Sequence, residues 1–171
     1  MYSSRFESAV SAEVFGVSPI MSINYERVLK ENLNSFYSVR GGLGYLPATK
    51  GNGAGISIPI EASFNKKLLL ADLTGIKLMN TFPRRFLFEP FIQAGLGYAR
   101  IMYPGGDQRN YVNLVFKIRG QFIIKVPPKP KIFFLSVGVN PRIKRSGLVF
   151  YEATPGGGEN FYGGLSLGMG L

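Results

Sequence analysis

The sequence predicts an all-β chain, folded as a closed antiparallel up-and-down transmembrane β-barrel of eight strands with an irregular or helical insertion near residues 66-85. Three observations predict it. Bulky apolar residues alternate with small or polar ones along nearly the whole chain, which is the period of a strand with two unlike faces. Clusters of Gly, Pro, Asn and Asp interrupt the alternation at turn-like intervals. The bulky face is also too voluminous to be enclosed by a barrel of this size. At 171 residues the chain is read as a single domain, 1–171.

The elements follow in order. The first run is the weakest, with Phe6, Val10 and Val14 set against Glu7, Ser11 and Glu13. In the second, Met21, Ile23 and Tyr25 oppose Ser22, Asn24 and Glu26. Tyr37, Val39, Leu43 and Tyr45 then oppose Ser38, Arg40, Gly42 and Gly44. Ile56, Ile58, Ile60 and Phe64 oppose Ser57, Glu61, Ser63 and Asn65. After the insertion, Phe88, Ile92, Leu96 and Tyr98 oppose Glu89, Gln93, Gly95 and Gly97. The sixth run sets Val112, Leu114, Phe116 and Ile118 against Asn113, Lys117, Arg119 and Gln121. The seventh sets Phe133, Leu135, Val137 and Val139 against Ser136, Gly138, Asn140 and Arg142, and the last alternates from Phe161 to Leu171. Residues 16–19, 31–34, 47–55, 104–110 and 127–130 read as turns, and 146–160, with its Gly-Gly-Gly run, as a long mobile loop. Residues 66-85 fit no strand; an extra hairpin there, making ten strands, is the alternative, since a closed barrel of this kind has an even number.

Volume decides which face is inside. The apolar faces carry about three dozen large side chains, whereas a packed eight-stranded barrel holds roughly a dozen in its central layers. The opposite face, of Gly, Ser and Ala with occasional charges, does fit a narrow interior. The barrel is therefore inside out, and its exterior needs a solvent as apolar as itself, a lipid bilayer. Runs of ten or so residues, tilted, span a bilayer core. Tyr25, Tyr37, Tyr45, Tyr98 and Tyr103 are assigned to the membrane–water interface, where aromatic girdles belong.

Composition narrows the function. Hydrophobic residues make up 46% of the chain and charged ones 18%, too apolar for a disordered segment. No Cys is present, so there is no disulfide framework or thiolate metal site. No His is present, which removes the usual general base and the commonest metal ligand. No apolar run is long enough for a membrane helix. Met1 to Ser4 lack the basic start and apolar stretch of a signal peptide, so an exported chain is expected to be in its mature form with an added Met.

The strings Ser22-Ile23-Asn24-Tyr25-Glu26-Arg27, Arg40-Gly41-Gly42-Leu43-Gly44-Tyr45-Leu46-Pro47 and Glu89-Pro90-Phe91-Ile92-Gln93-Ala94-Gly95-Leu96-Gly97-Tyr98 resemble those of small outer-membrane β-barrel proteins of the OmpA/OmpX-like kind. The terminal Gly163-Gly164-Leu165-Ser166-Leu167-Gly168 is similar to their closing strand. The resemblance implies a fold and a location, the outer membrane of a Gram-negative bacterium, and contact with the barrel-assembly machinery. Such proteins often end in an aromatic residue; this chain ends in Leu171. The architecture fixes no activity, because it hosts anchors, adhesins, pores and enzymes.

Candidate sites are read from phase and charge. Glu13, Glu26, Glu61 and Glu89 share the inward phase with Arg40, Lys117, Arg119 and Arg142; buried charges must pair, so these are expected to form a lumen charge network. The net charge of +10 points to a polyanion, and Lys66, Lys67, Arg84, Arg85, Lys129 and Lys131 are assigned to phospholipid headgroups at one rim. Lys30, Lys77 and Lys125 share that rim, while Arg100, Arg109, Lys144 and Arg145 fall at the other and suit lipopolysaccharide phosphates. Basic and aromatic residues are segregated, which argues against nucleic acid. Gly164-Leu165-Ser166-Leu167-Gly168 has the spacing of a nucleophile elbow, but Ser166 falls inside an alternating run and no His can serve it. The expectation is a monomeric, non-enzymatic outer-membrane barrel with a structural or surface-interaction role and no cofactor, metal or catalytic residue. A small-solute pore or carrier, a soluble barrel carrying an apolar ligand, and a His-independent membrane hydrolase using Ser166 or Glu61 are the alternatives.

Overall fold

In a computed structural model, residues 6–18, 20–48, 53–68, 86–127, 129–144, 146–154, 158–161 and 163–171 are described. Twelve strands follow in chain order: β1 Ser8–Val14, β2 Met21–Asn32, β3 Ser35–Leu46, β4 Gly55–Lys67, β5 Phe86–Met102, β6 Gln108–Ile124, β7 Lys131–Val139, β8 Arg142–Lys144, β9 Gly147–Val149, β10 Tyr151–Thr154, β11 Gly158–Phe161 and β12 Gly163–Gly170. No helix occurs among the described residues.

Eight of these strands make the barrel. β1 to β7 pair in sequence, each antiparallel to the next, β7 pairs with β12, and β12 pairs with β1. Every wall strand thus has two neighbours, so the closed wall leaves no unpaired backbone edge. Partners leaving Glu13 through Ser22, Gly44, Ser57 and Ile101 reach β6 at Arg109, whereas partners leaving it the other way, through Ser166 and Ser136, reach Arg119. That ten-residue offset is the stagger a barrel needs to close, and it tilts the strands.

The ten-strand alternative is overturned, because β4 pairs directly with β5 from Ile56↔Met102 to Lys67↔Phe91 and leaves no room for a hairpin between them. Lys66 and Lys67 belong to β4 rather than to an insertion; residues 69–85 lie outside the described residues. Two further readings change. Residues 146–160 contain β9, β10 and β11: β9 pairs with β8 and β10 with β11. Gly147, whose φ is positive, closes the β8–β9 turn, a conformation glycine takes without strain. Glu31 and Asn32 are strand rather than turn, and only Leu33 and Asn34 separate β2 from β3.

Burial follows the pleat. Along β4 exposed and buried residues alternate from Gly55 to Ala62. Ile23, Leu43 and Leu167 are 68%, 65% and 64% exposed on the outside, while Arg119 and Glu61 are 1% and 2% exposed within. The lumen also holds large apolar groups at its two ends. Phe6, Ala9, Ile123, Ile132 and Phe134 cluster at the end where the chain starts and finishes, with Phe36 and Phe91 buried beside them. Val17, Ala99 and Val115 cluster at the loop end. Phe6 shares the outward phase of Val10 and Val14 in the sequence, but it precedes β1 and turns in to stack on Phe134, so the phase of the strand does not extend to it.

Candidate functional site

The lumen is built by the inward residues of every wall strand, and its centre is a closed charge square. β3 supplies Arg40, β1 Glu13, β4 Glu61 and β6 Lys117. Arg40 Nη2 donates to both carboxylate oxygens of Glu13 at 3.0 Å and also to Glu61. Lys117 Nζ donates to Glu13 Oε1 at 2.6 Å and to Glu61 Oε2 at 3.1 Å. Gln93 on β5 donates to the other Glu61 oxygen at 2.5 Å and to Ser63 Oγ at 3.0 Å. Two cations and two anions therefore neutralise one another where water is excluded, which is the condition under which buried charge is tolerated. Five strands are tied across the bore.

A second pair lies nearer the chain ends. Arg119 donates from both terminal nitrogens to the two oxygens of Glu26, at 2.8 and 3.0 Å, the fork geometry that Arg alone provides. Its guanidinium lies 3.7 Å from the Phe134 ring centroid and 5.0 Å from that of Phe6. The pair thus sits on an aromatic floor that fills the bore below it.

At the loop end the β1–β2 connection folds back into the mouth. Phe15 takes φ 54° and its N–H meets Ile20 O at 2.7 Å, a tight reversal. Val17 is carried onto Ala99 and Val115, and Ser18 Oγ lies 2.6 Å from Ser57 Oγ. The bore is occupied at three levels: an aromatic floor, the charge square and this loop.

The remaining assigned residues fall elsewhere. Glu89 pairs with Lys67, which therefore turns inward and is not an outward headgroup contact; odd positions of β4 face the lumen. Arg142 lies on β8, which continues the β7 register against β6 opposite Asn113, and its guanidinium lies 3.5 Å from the Tyr111 centroid, towards the loop end from the charge square. Lys66, Lys129 and Lys131 are exposed at the end that carries the chain termini, and Arg84 and Arg85 lie outside the described residues. Tyr25, Tyr37, Tyr45 and Tyr98 face outward. Tyr45 and Tyr103 stand at the loop end and Tyr37 near the other, but Tyr25 and Tyr98 sit well inside their strands, because β2 and β5 run further than the alternation alone suggested. Tyr103 packs under Arg109, 5.4 Å from ring centroid to guanidinium; burial pushes its hydroxyl pKa up, against the pull of that cation.

Ser166 lies within β12, opposite Glu13 on one side and Ser136 on the other, with no strand-to-helix turn. No cluster of three or more acidic, His or Cys side chains suited to a metal occurs among the described residues. Among the lumen residues that sequence reasoning missed are Phe36, Phe91 and Phe134; each shares the inward phase of Ser38, Glu89 or Ser136, and that phase was the signal.

With this geometry in view, one solved structure matches. The fold resembles that of Neisserial surface protein A. Its crystal structure aligns over 95% of this chain and 90% of that one, with a TM-score of 0.50 and 12% sequence identity. At that identity the likeness is one of fold alone, a small antiparallel barrel. No family model and no curated protein sequence matches the chain.

Proposed function

We propose that the chain is an integral outer-membrane protein of a Gram-negative bacterium, non-enzymatic, with a structural or surface-interaction role. One observation carries the reading: the outer wall is covered with exposed Ile, Leu, Val, Phe and Tyr side chains while Arg, Lys, Glu, Gln and Asn are buried within. In water that arrangement exposes a very large apolar surface, which soluble proteins avoid. In a bilayer the same apolar surface meets a solvent of its own kind.

The charge square supports a shape-holding role over a pore, since its ion pairs cross the bore and apolar groups stand above and below it. Phospholipid headgroups are the proposed partners of Lys66, Lys129 and Lys131, and lipopolysaccharide phosphates those of Arg100, Arg109 and Lys144. The barrel-assembly machinery inserts the chain, and it works as a monomer without nucleic acid or cofactor.

The test is reconstitution. Purified full-length chain added to lipid vesicles should enter them, migrate as a compact band on a gel unless boiled, and show no unitary conductance in planar bilayers. Stable conductance steps would make it a pore. A monodisperse folded chain in plain buffer would make it a soluble carrier.

A further inference from the structure

The outer wall is not uniformly convex. A groove of about 520 Å³ crosses the faces of β4, β5, β6 and β7. We infer that it is a bound-lipid site, taking one acyl chain of an anionic phospholipid with Lys66 against the phosphate. The inference rests on the membrane reading above and adds a specific ligand to it.

Register explains the groove. Phe64, Ala94, Phe116 and Val139 form one row across the four strands, and Lys66, Ile92, Ile118 and Val137 the next. Ala94 is the small residue of the first row, set between two phenylalanines, and it leaves a dent between their rings. Because the strands are staggered, a row climbs the barrel as it passes from β4 to β7. The groove therefore rises obliquely from Lys66, beside the chain-terminal end of β4, to Val139, the last residue of β7. Its surface is almost wholly apolar, with the Lys66 cation at its low end.

Charge selects the occupant. Lys66 is exposed and pairs with no carboxylate among the described residues, whereas its neighbour Lys67 is taken by Glu89. Lys125, Lys129 and Lys131 are exposed at the same end of the barrel. A zwitterionic lipid brings its phosphate together with a cation that this basic rim repels; an anionic headgroup brings net negative charge to Lys66 and its chain lies along the groove.

The experiment is native mass spectrometry of the full chain refolded in detergent micelles, with dioleoylphosphatidylglycerol or dioleoylphosphatidylcholine added. One phosphatidylglycerol should survive detergent removal, retained roughly five-fold better than phosphatidylcholine. Lys66→Gln should abolish that preference, and Ala94→Phe, which fills the dent, should abolish the adduct with either lipid. Both side chains face outward, and a heat-modifiable gel band from the same samples reports folding. Unchanged adducts in either folded variant, several lipids bound without preference, or a dimer in place of the lipid adduct would each overturn the site alone. A wild-type chain that gives no folded band overturns the membrane reading with it.

Discussion

Arg119 meets Glu26 through both terminal nitrogens and lays its guanidinium on Phe134, all within the lumen. Removing the cation leaves a carboxylate buried without its partner, which costs about 3–5 kcal/mol. We therefore expect Arg119→Leu to be destabilised by that amount in urea unfolding from vesicles, and Glu26→Leu/Arg119→Leu to recover most of the loss. A double variant no better than the single would mean that the ion pair is not the interaction lost. Gly168 faces the same floor, and a Cβ there would lie 2.2 Å from the Phe134 ring. Gly168→Ala should cost about 1–3 kcal/mol by overpacking, in the same assay, whereas Gly105→Ala would meet no atom yet be strained by its φ of 101°. At this scale the sequence was partly legible. Opposite charges in one strand phase had to pair, and they do so at Glu13, Arg40, Glu61 and Lys117. Which partners meet was not legible, because it depends on the barrel's stagger: Lys67 shares a phase with Glu61 but reaches Glu89. Arg142 keeps the phase of Ser136, because β8 continues the β7 register against β6 with Asn113↔Arg142, but it stands towards the loop end, over Tyr111.

At the scale of elements, the alternation located all eight wall strands because each has one crowded and one small face. It said less about their lengths. β5 and β6 are each 17 residues long, and Ala99 to Met102 pair with Tyr111 to Gln108 beyond the runs whose alternation was legible. The short strands β8 to β11 were not legible, since hairpins of three or four residues carry no periodic signal. Closure is the feature most open to test, because β1 and β12 stand at opposite ends of the chain. Ala12 and Leu167 are register partners, both on the outer face, and the chain has no cysteine of its own. Ala12→Cys/Leu167→Cys should form an internal disulfide on oxidation in vesicles, read as a mobility shift on a non-reducing gel. Ala12→Cys/Met169→Cys, two positions out of register, should form it much less readily. Equal yields from the two pairs would argue against the β1–β12 seam.

The whole molecule turns on one inversion, bulk outward and charge inward, and this was legible from volume alone: the large side chains of eight strands could not share one narrow bore. The apolar plugs at the two ends of that bore were not, because Phe36, Phe91 and Phe134 read locally as more of the same hydrophobic composition. Depth in the bilayer gives the inversion a measurable gradient. Ile118→Arg, in the middle of the outer wall, should cost about 2–4 kcal/mol in vesicles, whereas Val126→Arg, in the β6–β7 turn, should cost about 0–1. The most direct measurement uses the absence of tryptophan from the sequence. A single Trp is placed at Ile118, Leu43 or Leu167 on the outer face, or at Ser136 within, and the chain is refolded into vesicles whose acyl chains carry bromine. The account predicts strong quenching at the three outer positions and little at Ser136; strong quenching at Ser136 with none at the outer positions would contradict it.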